Sequence, residues 1–291
     1  MSGPTNNNHY VPCFWSALWN TEYYDLKIAG ANAPSARTQM LHVLNIKSDT
    51  IYSCKAEKIF YKERLGHIPI TREEYLELTK FDGSPPKEQN LFDDDNSIVI
   101  MDIENHFSMF EESIGYESIF RLMKDHRSID NYGSKVEISA FLFYHPYRAS
   151  RYLLDLFEKY SASENNRLDA FYEWKYFMNK DSHALAITQI LEGKWTVYAL
   201  ERFSFPICDN PVLNDGKKIY AIISPKHLIT VDLLEKSDIT HFKNTIGYIE
   251  YKRLLRKIIT NTDSVIAHTN KDTLERLQKS NFWKKTRQIK K

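Results

Sequence analysis

The sequence predicts an α+β fold: a helical central layer packed on a small, mainly antiparallel sheet built from an N-terminal hairpin and C-terminal strands. Three observations carry this. Two runs with β-favouring residues, Gln39 to Ile46 and Ile51 to Phe60, flank the polar Lys47-Ser48-Asp49-Thr50, which is the pattern of a hairpin. Apolar residues recur at helical spacing through much of 98–192. Short β-rich runs divided by Pro and Asn-Asp-Gly turns then fill most of 193–270. With 291 residues and 42% hydrophobic side chains there is enough apolar material for one core, so the expected organisation is a single domain, 1–291, with a helical part at 98–192 and a sheet part at 193–270.

Taken in order, a polar leader gives way to Tyr10 to Trp19. There Phe14, Trp15, Leu18 and Trp19 follow Pro12 at near-helical spacing, predicting a short buried helix or turn. After the hairpin, Ile70 to Asn96 reads as an exposed connection with at most a short helix at Arg72 to Thr79; Gly83-Ser84-Pro85-Pro86 and Asp93-Asp94-Asp95 punctuate it. Ile98 to Lys124 predicts a long helix or a broken pair, and Val136 to Tyr160 a second helical stretch that Pro146 should kink. A third covers Leu168 to Leu191. Strands are expected at Lys194 to Glu201, Ser204 to Cys208, Ile219 to Ile223, Leu228 to Val231 and Ser264 to His268, with helices at Ile246 to Ile259 and Lys271 to Lys279.

Composition narrows the function classes. Lys+Arg 39 against Asp+Glu 38 leaves a net charge of +1, so any nucleic-acid contact has to be local. The one concentrated basic feature is the tail from Trp283 to Lys291, which reads as a phosphate contact or as a solubilising frayed end. Cys13, Cys54 and Cys208 are far apart with no CxxC pair, which fits a reducing compartment and neither a zinc site nor a disulfide framework. The leader lacks the apolar core of a signal peptide and no run reaches membrane-spanning length, so a cytoplasmic protein without membrane contact is expected. Gly-rich phosphate loops, GxSxG and HExxH are absent from the sequence, so no cofactor and no metal are expected.

Two short signatures remain: His9-Tyr10-Val11-Pro12 and Cys208-Asp209-Asn210-Pro211-Val212. With the intervening hairpin, the helical centre and the later Ile-Ser-Pro segment at Ser224-Pro225, they make the chain resemble, over nearly its whole length, the bacterial family catalogued as domain of unknown function 4238. Members usually read Gln and then Arg where this chain has Cys13 and Ala17, begin the second signature with Ser instead of Cys208, and carry Arg-Thr-Pro where Tyr144-His145-Pro146 stand here.

His9 and Asp209 are the candidate catalytic pair, an imidazole base oriented by a carboxylate, if the two ends of the chain meet. Asp-Asn-Pro is equally a turn former, and His-Tyr before Pro equally a structural anchor. Tyr10, Asn210, Arg148 and Arg151 are the candidate substrate-binding residues; Tyr144, Tyr147, Arg148, Arg151 and Tyr152, read as one helix, form the best local patch for a phosphate backbone. Ser224 before Pro225 reads as strand termination and not as a nucleophile. Two functions are carried forward. The first is a bacterial toxin or phage-defence effector, such as a nuclease, acting on nucleic acid or a nucleotide. The second is a non-enzymatic interaction or regulatory partner in a defence or toxin–antitoxin system, paired with a protein from the same operon.

Overall fold

In the computed structural model, residues 7–63, 67–71, 98–102, 116–148, 150–159, 169, 173 and 180–290 are described. The chain is α+β, as the alternation of β-rich runs and helical spacing predicts. It begins with β1 (Asn7–His9), after which the fixed dihedral of Pro12 starts α1 (Cys13–Ser16) and the 3₁₀ turn Ala17–Trp19. Trp15, Leu18 and Trp19 are fully buried. Their burial leaves two indole N–H groups needing acceptors, and the carbonyls of Ile223 and Phe205 provide them, at 2.8 Å from Trp15 and 2.6 Å from Trp19. The N-terminal aromatic segment is thereby pinned to the C-terminal half of the chain.

Asn20 caps α2 (Thr21–Ile28) by accepting the Tyr23 amide. The hairpin follows as β2 (Met40–Asn45) and β3 (Ile51–Lys55), its turn made by Asp49 at φ 55°. The second run is not strand as far as Phe60. It breaks into the 3₁₀ turn Ala56–Lys58, and Phe60 at φ 54° redirects the chain into β4 (Tyr61–Glu63), which pairs antiparallel with β1. Next, β5 (His67–Thr71) pairs antiparallel with β6 (Ile98–Asp102). The start of the expected 98–124 helix is therefore strand. Ile98, Val99 and Ile100 are successive β-branched residues, which favour a pleated backbone over a helix. Arg72–Thr79, the Gly83–Pro86 turn and Asp93–Asp95 lie outside the described residues.

The helical layer comprises α3 (Tyr116–Lys124), α4 (Tyr132–Arg148), α5 (Ser150–Lys159) and α6 (Lys180–Glu192). Pro146, which has no backbone donor, lies inside α4 two residues before its last described residue, Arg148, and α5 is described from Ser150. Tyr144 and Tyr152 consequently sit on different helices, not on one. Most of the expected 168–191 helix before Lys180 lies outside the described residues.

The C-terminal half forms β7 (Gly193–Ala199), β8 (Ile207–Cys208), β9 (Val212–Asn214), β10 (Lys218–Ile222), β11 (His227–Lys236), β12 (His241–Lys243), α7 (Tyr248–Thr260), β13 (Val265–His268), α8 (Lys271–Lys279) and α9 (Asn281–Lys290). The expected single small sheet is two. One has the order β12-β7-β11-β10-β9, antiparallel except for the parallel β12–β7 pair; the other, β3-β2-β13-β8, is where the N-terminal hairpin joins the C-terminal strands. Pro206 and Pro211 bracket β8 and limit it to two ladder residues, which separates it from β9.

As far as Lys290 the basic tail is helical, with Lys284 and Lys285 exposed and Trp283 and Arg287 turned inward. Trp283 is fully buried and its indole donates to Asp49 Oδ1 at 2.8 Å. Arg287 donates through Nη1 to Asp49 Oδ2 at 2.6 Å and through Nε to the Ile46 carbonyl at 2.7 Å, so α9 clamps the β2–β3 turn. Among the described residues no helix is long and apolar enough to cross a membrane.

Candidate functional site

The two signatures meet, and Tyr10 makes the connection. Its amide donates to the Phe60 carbonyl, and its hydroxyl lies 3.5 Å from Ser264 Oγ. Ser264 in turn donates its amide to Asp209 Oδ2 at 2.7 Å and its hydroxyl to the same oxygen, while the Val265 amide reaches Asp209 Oδ1 at 3.3 Å. Asp209 is buried, and burial pushes its carboxyl up to about 6, against the lowering effect of the Ser264 hydrogen bonds. The same burial, with Asp209 nearby, raises the Tyr10 phenol above its ordinary value. Three donors converging on one carboxylate tie the end of β8 to the start of β13.

His9 takes a different direction. Its ring is 5.7 Å from that of Tyr61, its partner across the β1–β4 ladder, and Nε2 donates to the Glu57 carbonyl at 3.2 Å, since a carbonyl only accepts. Cys208 is fully buried; its thiol is pushed up to about 12 by burial and by Asp209, and donates to the Asn210 carbonyl at 3.3 Å. A thiol so weakly acidic is not a thiolate nucleophile at neutral pH.

Asn210 is fixed by its own amide, which donates to the Asn261 carbonyl at 3.0 Å and to Asp263 Oδ2 at 3.4 Å. Both donor positions are used, and Asn210 Oδ1 accepts no hydrogen bond among the described residues. Asn210 is also one wall of a cleft of about 500 Å³, within the range of small-molecule sites. Pro146 and Tyr152 of the helical layer face Val212, Tyr220, Lys257 and Asn261 of the sheet part across it. The Lys257 ammonium lies over the Tyr220 ring at 4.1 Å and donates to Asp215 Oδ2 at 2.7 Å, which lowers the Asp215 carboxyl to about 2. Asp155 adds a second carboxylate to the lining. The buried hydroxyl of Tyr152 has no partner among the described residues.

Arg148 closes α4 and Arg151 lies in the first turn of α5, and their side chains lie outside the described residues. Tyr144, from the same expected patch, donates to or accepts from His183 Nδ1 at 2.6 Å, and His145 is buried with its ring 4.8 Å from that of Trp15. Ser224 Oγ accepts the amides of Lys226 and His227 and bonds His227 Nδ1 at 2.8 Å, within a turn where burial lowers the imidazole to about 4. Among the described residues no group of three metal-ligating side chains occurs.

Sequence reasoning passed over Tyr220, Asp215, Lys257 and Asn261. Asn214-Asp215-Gly216 was legible as a turn, but its proximity to one face of α7 is set by the sheet order and leaves no trace in local spacing. Comparison with family models, curated proteins and solved structures finds no match to this chain.

Proposed function

We propose that the chain binds a nucleotide, or the end of a nucleic acid, by its base or sugar in the cleft beside Asn210, and that an effector role in bacterial toxicity or phage defence runs through that binding. The observation that supports this is the cleft itself, which borders the second signature. Its lining offers an unengaged carboxamide oxygen, phenols from Tyr152 and Tyr220, and two carboxylates against one ammonium. Such a surface accepts hydrogen bonds and stacks rings, as a base or sugar requires. In this reading Asp209 holds Asn210 in place and is not the partner of a His9 base.

The test is calorimetric titration of the intact chain with adenosine, cytidine and their 5′-monophosphates, alongside growth of a bacterial host expressing it. Asn210→Ala should weaken nucleoside binding at least tenfold and relieve growth arrest with the melting temperature little changed. Absence of nucleoside binding by the folded chain overturns the reading. A protein-partner role has one observation in its favour, the neighbouring Tyr248 and Ile249, 61% and 84% exposed at the start of α7.

A further inference from the structure

A second concavity, remote in sequence from either signature, is built where the last turn of α2 meets the outer face of α3. The inner face of α3 buries Ser118, Ile119, Leu122 and Met123, so helical periodicity turns Glu117, Phe120, Arg121 and Lys124 outward, towards Lys27 and Gly30. The space enclosed is about 310 Å³.

Its cations are placed by the fold. Lys27 is half-buried, its ammonium 5.4 Å from the centre of the Phe120 ring and 5.5 Å from that of Tyr23, which holds the charge at the wall. Lys124 approaches Gly30, which is at φ 70°; a Cβ at that residue would lie 3.1 Å from Lys124 Nζ. Of the carbonyls at the end of α2, that of Asp25 accepts from the Ala29 amide, that of Leu26 from Ala31 and that of Lys27 from Gly30. The Lys124 ammonium makes no hydrogen bond and no ion pair among the described residues. Arg121 contributes a third positive charge but shares it with Glu137, whose Oε2 is 3.0 Å from Nη2, and Glu117 adds one carboxylate to the lining.

We infer that this α2–α3 pocket is an anion site for the phosphate group of a small phosphorylated molecule, with Lys27 and Lys124 as its paired cations and the Phe120 ring as its apolar wall. A compact phosphate takes charge-assisted hydrogen bonds from two ammonium groups without a planar fork. Arg121, engaged with Glu137, tunes the site from its rim. The chain as a whole carries only +1, so attraction for an anion is local and not a property of the whole surface.

The experiment is titration of the intact chain with inorganic phosphate, pyrophosphate and a 12-nucleotide single strand, at low and moderate salt, followed by calorimetry. The expected result is saturable binding of phosphate and pyrophosphate that weakens at least tenfold in Lys27→Ala/Lys124→Ala. Lys124→Arg should retain it, and so should Asn210→Ala, which alters only the other cleft. Binding that persists in the double variant, or binding of the oligonucleotide without phosphate or pyrophosphate, overturns the assignment. Lys124 is exposed and Lys124→Arg keeps the charge, and the melting temperatures of the same samples separate loss of binding from unfolding, including at the half-buried Lys27.

Discussion

Replacing His145 with Phe should flatten the acid sensitivity of the fold. The imidazole is buried in α4, its ring 4.8 Å from Trp15 and 5.6 Å from Phe141, with Nε2 unpartnered among the described residues, and burial lowers it from 6.5 to about 3. The unfolded chain thus takes up a proton below pH 6.5 that the native chain refuses until about pH 3. Native stability attributable to this group is complete above 6.5 and is lost as pH falls, at ~1.4 kcal/mol per pH unit, amounting to roughly 2.7 kcal/mol by pH 4.5. His227, lowered to about 4, acts in the same sense. Asp209 acts in the opposite sense: with its carboxyl raised to about 6, the native chain holds a proton that the unfolded chain releases near pH 4, so stability falls as pH rises between those values. His145→Phe leaves both of these terms in place and removes one. Urea unfolding of the two proteins at pH 7.5 and pH 4.5 measures the difference: the variant should lose about 2–3 kcal/mol less than the parent between the two conditions. Losses that agree within about 0.5 kcal/mol would refute the claim that His145 stays neutral in the native core.

Three further outcomes follow from the packing. Asp209→Ala strands the amides of Ser264 and Val265 and should cost about 3–5 kcal/mol in urea unfolding; a cost below ~1 kcal/mol would mean that the carboxylate does not secure β8 to β13. Trp283→Ala should cost about 3–5 kcal/mol, and Arg287→Ala about 1–2 kcal/mol, with faster amide exchange at 45–50 as the measure that the α9 clamp has released its turn; unchanged exchange there would count against a clamp. Gly193→Ala places a Cβ 2.6 Å from Val231 Cγ1 and 2.9 Å from the Asp232 carbonyl, so it should lower stability by about 1–3 kcal/mol, and a neutral result would show that β7 and β11 can separate at that end.

Local pattern reported local structure well. The turn residues of the hairpin, the Pro12 helix start and the runs that became β7, β10, β11 and β13 were all legible, because each depends on residues adjacent in the chain. What stayed hidden depends on pairing between distant segments. The parallel addition of β12 to β7 is carried by His241-Phe242-Lys243, too short a run to betray a strand. The division of the C-terminal strands between two sheets follows from the prolines around Cys208, which were read as breaks without saying which partner each side would find. The tail misled for a different reason: its lysines are conspicuous in sequence, whereas the residues that place it are Trp283 and Arg287, which seek one aspartate more than 230 positions earlier.

The hydrogen bonds around the second signature set how its side chains are held. Asp209 is a buried carboxyl with a hydroxyl and two amides directed at it. Here the backbone amides of Ser264 and Val265 take both oxygens, and a group so engaged is poorly disposed to exchange protons with a ligand. The same engagement has a directional consequence. With Asp209 fixed to β13 and the Asn210 amide fixed to Asn261 and Asp263, the remaining freedom in the turn is removed, and Asn210 is held at the cleft wall with its oxygen unengaged. Tyr10, joined to Ser264, brings the first signature into the same network. Asp209, a catalytic candidate from the sequence, and Asn210, a substrate-binding candidate, thus belong to one hydrogen-bonded turn, and in the proposed reading it is the Asn210 oxygen that meets the ligand.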